Sequence, residues 1–318
     1  MRYYSLIAPA KINLYLEILG SRPDGYHELA MVLQSIDLVD RIDLRSISKD
    51  VIRLHCNHPQ VPLDKSNLAY RAAELMMGQF PSAFAHEYGG VEITIHKQIP
   101  VAAGLAGGST DAAAVIVGID LLWNLGLTQS ELQELAARLG SDIPFCIAGG
   151  TALATGRGEQ LSPLPDLDRL YVVLGKHRSL AVSTAWAYQT YRQQYGSGYV
   201  TEAATLESRS SRVHSGSLVS AIAHKDNLQI ANFLHNDLER VVLPAYPQVL
   251  QLREAFQASG ALGTMMSGSG PTVFALAESI GHAHNIQSQV TSILPDPDVD
   301  FWIAKFCPTG IQLASSVK

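Results

Sequence analysis

Two glycine clusters hold most of the chemistry this chain can offer. The first reads Pro100-Val101-Ala102-Ala103-Gly104-Leu105-Ala106-Gly107-Gly108-Ser109-Thr110-Asp111 and runs straight into Ala112-Ala113-Ala114-Val115-Ile116. A strand pattern (Val91–Ile95) leads in and a helical one leads out. Such a junction presents unpaired backbone N–H groups at the positive end of a helix dipole, a ready seat for phosphate. Glycine lets the backbone approach an anion, and the hydroxyls of Ser109 and Thr110 add donors. The loop is not GxxxxGK[ST], since no lysine precedes the hydroxyl pair, and GLAGGS is not GxGxxG. The plainer reading is a tight strand-to-helix turn built from small residues. The second cluster, Met265-Met266-Ser267-Gly268-Ser269-Gly270-Pro271-Thr272, falls between two strand patterns and on its own reads as a hairpin turn.

The polar candidates lie on simple elements. From Ser5 to Leu19 the sequence alternates, with Ile12, Leu14, Leu16 and Ile18 on one side and Lys11, Asn13, Tyr15 and Glu17 on the other. That period of two predicts a strand with one buried face and places Lys11 and Asn13 together on the other. A turn follows at Arg22-Pro23-Asp24-Gly25. Alternation returns at Arg41–Ile47 and Val91–Ile95. Helical spacing predicts helices over Asn67–Met77, Asp111–Trp123 and Gln129–Leu139, the last with a Thr128/Glu131 capping box and Gly140 as its stop. Asp142 then stands at a helix–loop junction, where an aspartate serves either as a cap or as a base. A hairpin is predicted through Gly156-Arg157-Gly158. Beyond residue 165, strands at Leu170–Leu174, Gly263–Met266, Thr272–Leu276 and Phe301–Phe306 interleave with helices at Ser183–Gln193, Pro247–Ala258 and Ile280–Val290. This interleaving suggests an α+β second domain, and the class of the chain is α+β. Thr201–Asp226 is rich in Ser, Ala and His without sustained period, and is expected to be a surface insertion or mobile loop.

Composition sets outer limits. The chain has 318 residues, 47% hydrophobic and 16% charged, with net charge −6. That balance argues against a broad nucleic-acid surface but allows a few local cations around a phosphorylated ligand. Three cysteines, Cys56, Cys146 and Cys307, have no CxxC or Cys/His spacing, so no zinc site or disulfide framework is expected. MRYYSLIAPAK lacks the apolar run of about 7–15 residues of a signal peptide, and Ala112–Trp123 is too short and too interrupted to span a bilayer. A soluble cytoplasmic protein is expected, without membrane contact, acting as a monomer or weak homodimer.

Together with Pro9-Ala10-Lys11-Ile12-Asn13-Leu14, the two glycine clusters resemble the three signature motifs of the GHMP kinase superfamily, in order and spread along the whole chain. Within it, Arg22-Pro-Asp-Gly-Tyr-His-Glu-Leu29, Leu139-Gly-Ser-Asp142-Ile-Pro-Phe145, Asn236–Glu239 and Ser66-Asn67-Leu68 resemble the 4-diphosphocytidyl-2-C-methyl-D-erythritol kinase family. The resemblance implies a two-lobed fold with its active site between an ATP-binding lobe (1–160) and a substrate-side lobe (161–318), the segment 201–226 being an insertion. It implies transfer of a phosphoryl group from ATP, with Mg²⁺, to the 2-hydroxyl of a cytidine diphosphate-linked methylerythritol. Mevalonate, homoserine and sugar kinases are the nearest alternatives.

By the same resemblance Asp142 is the base that faces the substrate hydroxyl, and Lys11 keeps that carboxylate ionised. Asn67, Lys97 and the loop from Pro100 to Thr110 lie on the ATP side. Asn13, Tyr26, His27, Thr184 and Tyr188 lie on the substrate side, with His27 on the base edge and Tyr26 and Tyr188 on its faces; Trp186 competes with Tyr188 for the second ring. Ser267, Gly268 and Ser269 brace the phosphate region or the bound substrate. Mg²⁺ has no evident protein ligand beyond Ser109 or Thr110. The loop departs from the usual GLGGGSS at Ala106 and Thr110, and alanine tolerates a demanding positive φ poorly.

Overall fold

The computed structural model describes residues 2–84, 89–199 and 216–314. Two long antiparallel strands, β1 (Tyr3–Ser21) and β2 (His27–Ile47), open the chain. There follow β3 (Ile52–Cys56), α1 (Leu68–Gln79), β4 (Gly90–His96), α2 (Gly107–Trp123), α3 (Gln129–Ala137) and α4 (Ile143–Ala148). A hairpin of β5 (Thr151–Gly156) and β6 (Gln160–Pro163) precedes β7 (Tyr171–His177) and α5 (Thr184–Tyr195). The remainder comprises α6 (Ser217–Ala223), α7 (Asn227–Asn232), β8 (His235–Asn236), α8 (Glu239–Ala245), α9 (Pro247–Ala258), β9 (Thr264–Met266), β10 (Val273–Ala277), α10 (Ile280–Ile293), β11 (Val299–Lys305) and β12 (Gln312–Leu313).

These strands form two sheets. The larger runs β12-β1-β2-β4-β3, with β5 beside the first half of β2 and β8 beside β1; the smaller runs β11-β7-β10-β9. Both β8 and β12 come from the C-terminal half of the chain, so strands of that half complete the first sheet. The α+β class is what the structure has.

Strand β1 departs from simple alternation. Its register on β2 slips between Asn13 and Tyr15, the mark of a bulge, and a one-residue slip turns every later side chain to the other face. Ile12 and Leu14 therefore pack with Val172, Leu174 and Phe274, whereas Leu16 and Ile18 join Leu33 and Met31 in a different core. The expectation of one apolar face from Ile12 to Ile18 is corrected on that account. Lys11 and Asn13 do lie opposite Ile12, but they too are buried, because the second half of the chain covers that face.

Helix α2 is apolar on nearly every side, as befits a helix buried all round. It starts at Gly107, four residues before its expected start, so the glycines are its first turn. Gly118 lets it close on the sheet: a Cβ there would stand 2.6 Å from Leu44 Cδ1. A buried ionic cluster fixes its other end. Lys97 Nζ, just past β4, donates to Asp40 Oδ2 of β2 at 2.6 Å and to Asp111 Oδ2 of α2 at 2.7 Å. Asp40 Oδ1 accepts from the backbone N–H groups of Gln98 and Ile99. Burial pushes the Asp111 carboxyl above the usual carboxylate range, with Asp40 acting in the same direction and Lys97 opposing.

The capping box of α3 is present as expected. Residues 201–215 of the expected insertion lie outside the described residues. Its end is not a loop: Ser217–Ala223 is helical, with Leu218, Ala221 and Ile222 buried, a short apolar spacing hidden by the Ser- and His-rich composition around it. Among the described residues no helix is long and apolar enough to cross a membrane. Lys97→Met would leave two buried carboxylates without a cation, and unfolding in urea is expected to show a loss of roughly 3–5 kcal/mol. An unchanged midpoint would show that the cluster does not hold α2 to the sheet.

Candidate active site

One cavity of about 960 Å³ gathers nearly every residue singled out in the sequence. Its lining includes Lys11, Asn13, Tyr26, His27, Asn67, Lys97, the loop from Pro100 to Ser109, Asp142, Thr184, Tyr188, Gly268 and Ser269. Thr110 is absent from it. That side chain is fully buried behind the helix, so of the two hydroxyls only Ser109 reaches the cavity.

The glycine loop is held from both sides. The Lys11 backbone N–H donates to Leu105 O at 3.1 Å, which ties the loop to β1. On the other side Ser267 Oγ donates to Gly104 O at 3.1 Å. The two glycine clusters touch directly: a Cβ on Gly104, whose φ is +74, would stand 2.3 Å from Ser267 O. The second cluster is more than a hairpin turn, since Ser267 reaches the first cluster at Gly104. Asn236 holds it in turn, donating through Nδ2 to Met266 O and Gly268 O, both at 2.8 Å. Glu239 accepts from the Met266 N–H at 2.8 Å.

Ala106 is the helix N-cap and takes φ 57, ψ 27, in the left-handed region, with no side-chain cap bond. The loop thus keeps a conformation suited to glycine while carrying a Cβ, at a local cost of roughly 1–2 kcal/mol.

Lys11 and Asp142 meet in the cavity. Lys11 Nζ donates to Asn13 Oδ1 at 2.7 Å and lies 3.7 Å from Asp142 Oδ2. The Lys11 side chain is 6% exposed and that of Asp142 33%, so the carboxylate is the member open to a ligand. Asp142 occupies the N-cap position of α4, yet its side chain makes no cap hydrogen bond. Capping therefore does not account for it. Gly268 completes the group: a Cβ there would come 3.2 Å from Asn13 Oδ1 and 3.7 Å from Lys11 Nζ.

His27 is buried at the start of β2, its ring 5.1 Å from that of Tyr188. Burial, with the Arg192 guanidinium beside it, depresses its pKa to about 4, so the ring is neutral at physiological pH. Tyr26 is 55% exposed at the rim, with the Arg157 guanidinium 5.1 Å above its ring. Trp186 packs edge-on against Tyr246 and is not in the lining, whereas Tyr188 is. Thr184 Oγ1 and Ser269 Oγ are 2.8 Å apart, joining α5 to the second glycine cluster. Asn67 caps α1, accepting from the Ala69 N–H at 2.8 Å. Lys97 borders the cavity, but its ammonium already has two carboxylate partners; it anchors the loop rather than offering a free cation.

Arg157 and Arg192 escaped the sequence reading. Arg157 could have been noticed as the cation at a glycine-flanked hairpin tip. Arg192 stands four residues past Tyr188, on the same helix face, and Tyr188 was already a candidate. Among the described residues no group of three or more His, Cys, Asp or Glu side chains could hold a metal ion. The oxygens beside the phosphate loop are Ser109 Oγ and Asp111 Oδ1, the latter buried without a hydrogen-bond partner. Such donors suit Mg²⁺ that keeps most of its shell as water and phosphate oxygen.

One cavity is thus lined by a glycine-rich helix N-terminus and by a lysine-paired carboxylate. The sequence matches the family GHMP kinases N terminal domain over residues 67–150 and GHMP kinases C terminal over residues 218–296. The second match begins inside α6, within the segment expected to be an insertion. The 4-diphosphocytidyl-2-C-methyl-D-erythritol kinase of Nostoc punctiforme is 70% identical, with both chains covered over 100% of their length. That of Trichormus variabilis is 67% identical over 98% of this chain and 99% of its own. A crystal structure of 4-(cytidine 5'-diphospho)-2C-methyl-D-erythritol kinase superposes with a TM-score of 0.71 at 31% identity, covering 95% of this chain and 98% of the other. Homoserine kinase from Cytophaga hutchinsonii shares the fold, with a TM-score of 0.74 at 19% identity over 99% and 98% of the two chains. The chain belongs to the GHMP kinase family and, within it, to the 4-diphosphocytidyl-2-C-methyl-D-erythritol kinases.

Ala106→Gly removes the left-handed strain and is expected to stabilise the protein by about 1 kcal/mol, read as a higher urea midpoint at unchanged slope. A lower midpoint would mean that the alanine methyl contributes more by packing than it costs in strain.

Proposed function

We propose that this kinase transfers the γ-phosphoryl group of ATP to the 2-hydroxyl of 4-diphosphocytidyl-2-C-methyl-D-erythritol, giving the 2-phosphate and ADP, in non-mevalonate isoprenoid precursor biosynthesis. The observation that carries this reading is one cavity lined by the phosphate loop, by the Lys11–Asp142 pair and by His27 with Tyr188. Mevalonate, homoserine and sugar acceptors have no base to stack, so they leave the last of these without a use. The full-length identity to kinases named for this acceptor supports the same choice.

Each residue then has a task. The backbone N–H groups at the start of α2 hold the ATP phosphates, with the helix dipole favouring their charge. Mg²⁺, when bound with ATP beside Ser109 and Asp111, supplies charge neutralisation to the polyphosphate. Asp142 accepts the proton of the acceptor hydroxyl, and Lys11 holds the carboxylate in its charged form. Asn13, by occupying one proton of the Lys11 ammonium, fixes where the other two point. Tyr188 stacks on the base, His27 meets its edge, and Thr184 and Ser269 sit beside the substrate phosphates. The polypeptide divides near residue 160 into an ATP-side and a substrate-side lobe, and it works in the cytoplasm as a monomer or weak homodimer.

Purified protein with ATP and Mg²⁺ is expected to release ADP in the presence of the cytidylylated methylerythritol and not with mevalonate or homoserine; the reverse pattern would end the proposal. Asp142→Asn is expected to lower kcat by at least about 10²-fold with ATP affinity unchanged. Normal turnover in that variant would remove Asp142 from the chemistry. Tyr188→Ala is expected to raise KM for the acceptor by the equivalent of about 1–3 kcal/mol and to leave KM for ATP alone.

A further inference from the structure

The cavity contains a cation that the roles above do not use. Arg192, on α5 one turn beyond Tyr188, lays its guanidinium across the segment Gly25–His27. Nη2 donates to Gly25 O at 2.6 Å and to Tyr26 O at 3.4 Å, and Nε donates to His27 Nε2 at 3.4 Å. Three consecutive residues of the β1–β2 turn are thereby fastened to the helix that carries the aromatic wall. We propose that Arg192 is a positioning residue for the acceptor-binding end: it pins the turn and forces the His27 ring proton onto Nδ1. His27 is then a fixed hydrogen-bond donor to an acceptor atom of the bound pyrimidine. The pyrimidine rests on the function proposed above; the tautomer does not.

The argument is one of donors and acceptors. A guanidinium has five N–H donors and no acceptor, so the nitrogen it meets must offer a lone pair. With Nε2 engaged as acceptor, the neutral imidazole carries its proton on Nδ1. An imidazolium would set N–H against N–H and charge against charge. The ring is buried, which already disfavours its charged form, and Arg192 is the charged group that faces it. Among the described residues its ring contacts are with two tyrosines. Tyr188 of α5 lies tilted 5.1 Å away, and Tyr199, four residues past the end of α5, meets the ring edge-on at 5.8 Å. Burial pushes both hydroxyls above the ordinary tyrosine range, so neither brings a negative charge to the ring. His27 lines the cavity, and among the described residues no hydrogen bond to Nδ1 is made. Arg192 also suits the task where lysine would not, because only a planar fork can reach two carbonyls and a ring nitrogen at once.

The test uses the full chain labelled with ¹⁵N-histidine, as wild type and as Arg192→Lys and Arg192→Met. Long-range ¹H–¹⁵N spectra of the free wild-type enzyme are expected to show His27 Nε2 unprotonated, with titration near pH 4. In Arg192→Met the midpoint should move up towards the ordinary histidine value of about 6.5. In Arg192→Lys, which keeps the charge without the fork, it should stay low. With both variants KM for the cytidylylated acceptor should rise about tenfold, the loss of one well-placed hydrogen bond, while kcat stays within about twofold and KM for ATP is unchanged. A proton on Nε2 in the wild type, or a natively folded Arg192→Met with unshifted His27 titration and unchanged KM, would overturn the proposal. Should the spectra come out as expected in a protein that does not phosphorylate this acceptor, the tautomer lock stands and the substrate assignment falls.

Discussion

The site depends on one buried ammonium. Lys97 follows the end of β4, Asp40 comes from the middle of β2 and Asp111 from the first turns of α2, and they meet with their side chains almost wholly out of water. Removing three charges from solvent is costly unless geometry and further hydrogen bonds compensate. Here both Lys97 contacts are short, and Asp40 is also held by two backbone N–H groups. What results is positional. The N-terminus of α2 cannot shift relative to the sheet without leaving a charge unpaired, so Gly107, Gly108 and Ser109 stay at the cavity wall.

A second constraint brings the other half of the chain to that point. The loop between β9 and β10 presses on the phosphate loop through Ser267 and Gly104, and on Lys11 and Asn13 through Gly268. It is held there by Asn236 and Glu239, on either side of a turn whose Asp237 accepts from the Ile18 N–H of β1 at 2.8 Å. The three signature motifs, far apart in sequence, are thus one contact network. Their glycines are not interchangeable spacers: a Cβ on Gly104 would strike the Ser267 carbonyl, and one on Gly268 would crowd the Asn13 side chain.

Much of this was legible in the sequence because local chemistry and tertiary outcome agree there. The strand-to-helix passage at the phosphate loop, the turn at Arg22–Gly25, the capping box of α3 and helix α9 all follow from residues within a few positions of one another. What escaped depends on distant partners. The bulge near Leu14 arises from pairing with β2, and nothing in Ile12–Ile18 marks it. Thr110 looks equivalent to Ser109 until the first turn of α2 points one hydroxyl to the cavity and the other to the core. Lys97 reads as a free cation beside a phosphate loop, since neither Asp40 nor Asp111 announces that it will flank it. Helix α6 was hidden by composition, although Leu218, Ala221 and Ile222 have helical spacing once the surrounding polar residues are set aside.

Asp142 shows how local sequence can free a side chain from capping. An aspartate at a helix N-cap ordinarily accepts from the N–H of the second or third helical residue. In α4 the second residue is Pro144, which has no N–H to offer and whose ring presets the helical φ without a capping bond. Asp142 itself sits at φ −79, ψ −19, already helical, where the extended geometry of a normal cap is lost. Its backbone carbonyl still accepts from the Cys146 N–H, so the helix is initiated through the main chain alone. Among the described residues the carboxylate's ion-pair partner is Lys11, and it has solvent access from the cavity. The Asp142-Ile143-Pro144 sequence therefore performs two tasks at once: it starts a helix, and it withholds from that helix a carboxylate that faces the cavity.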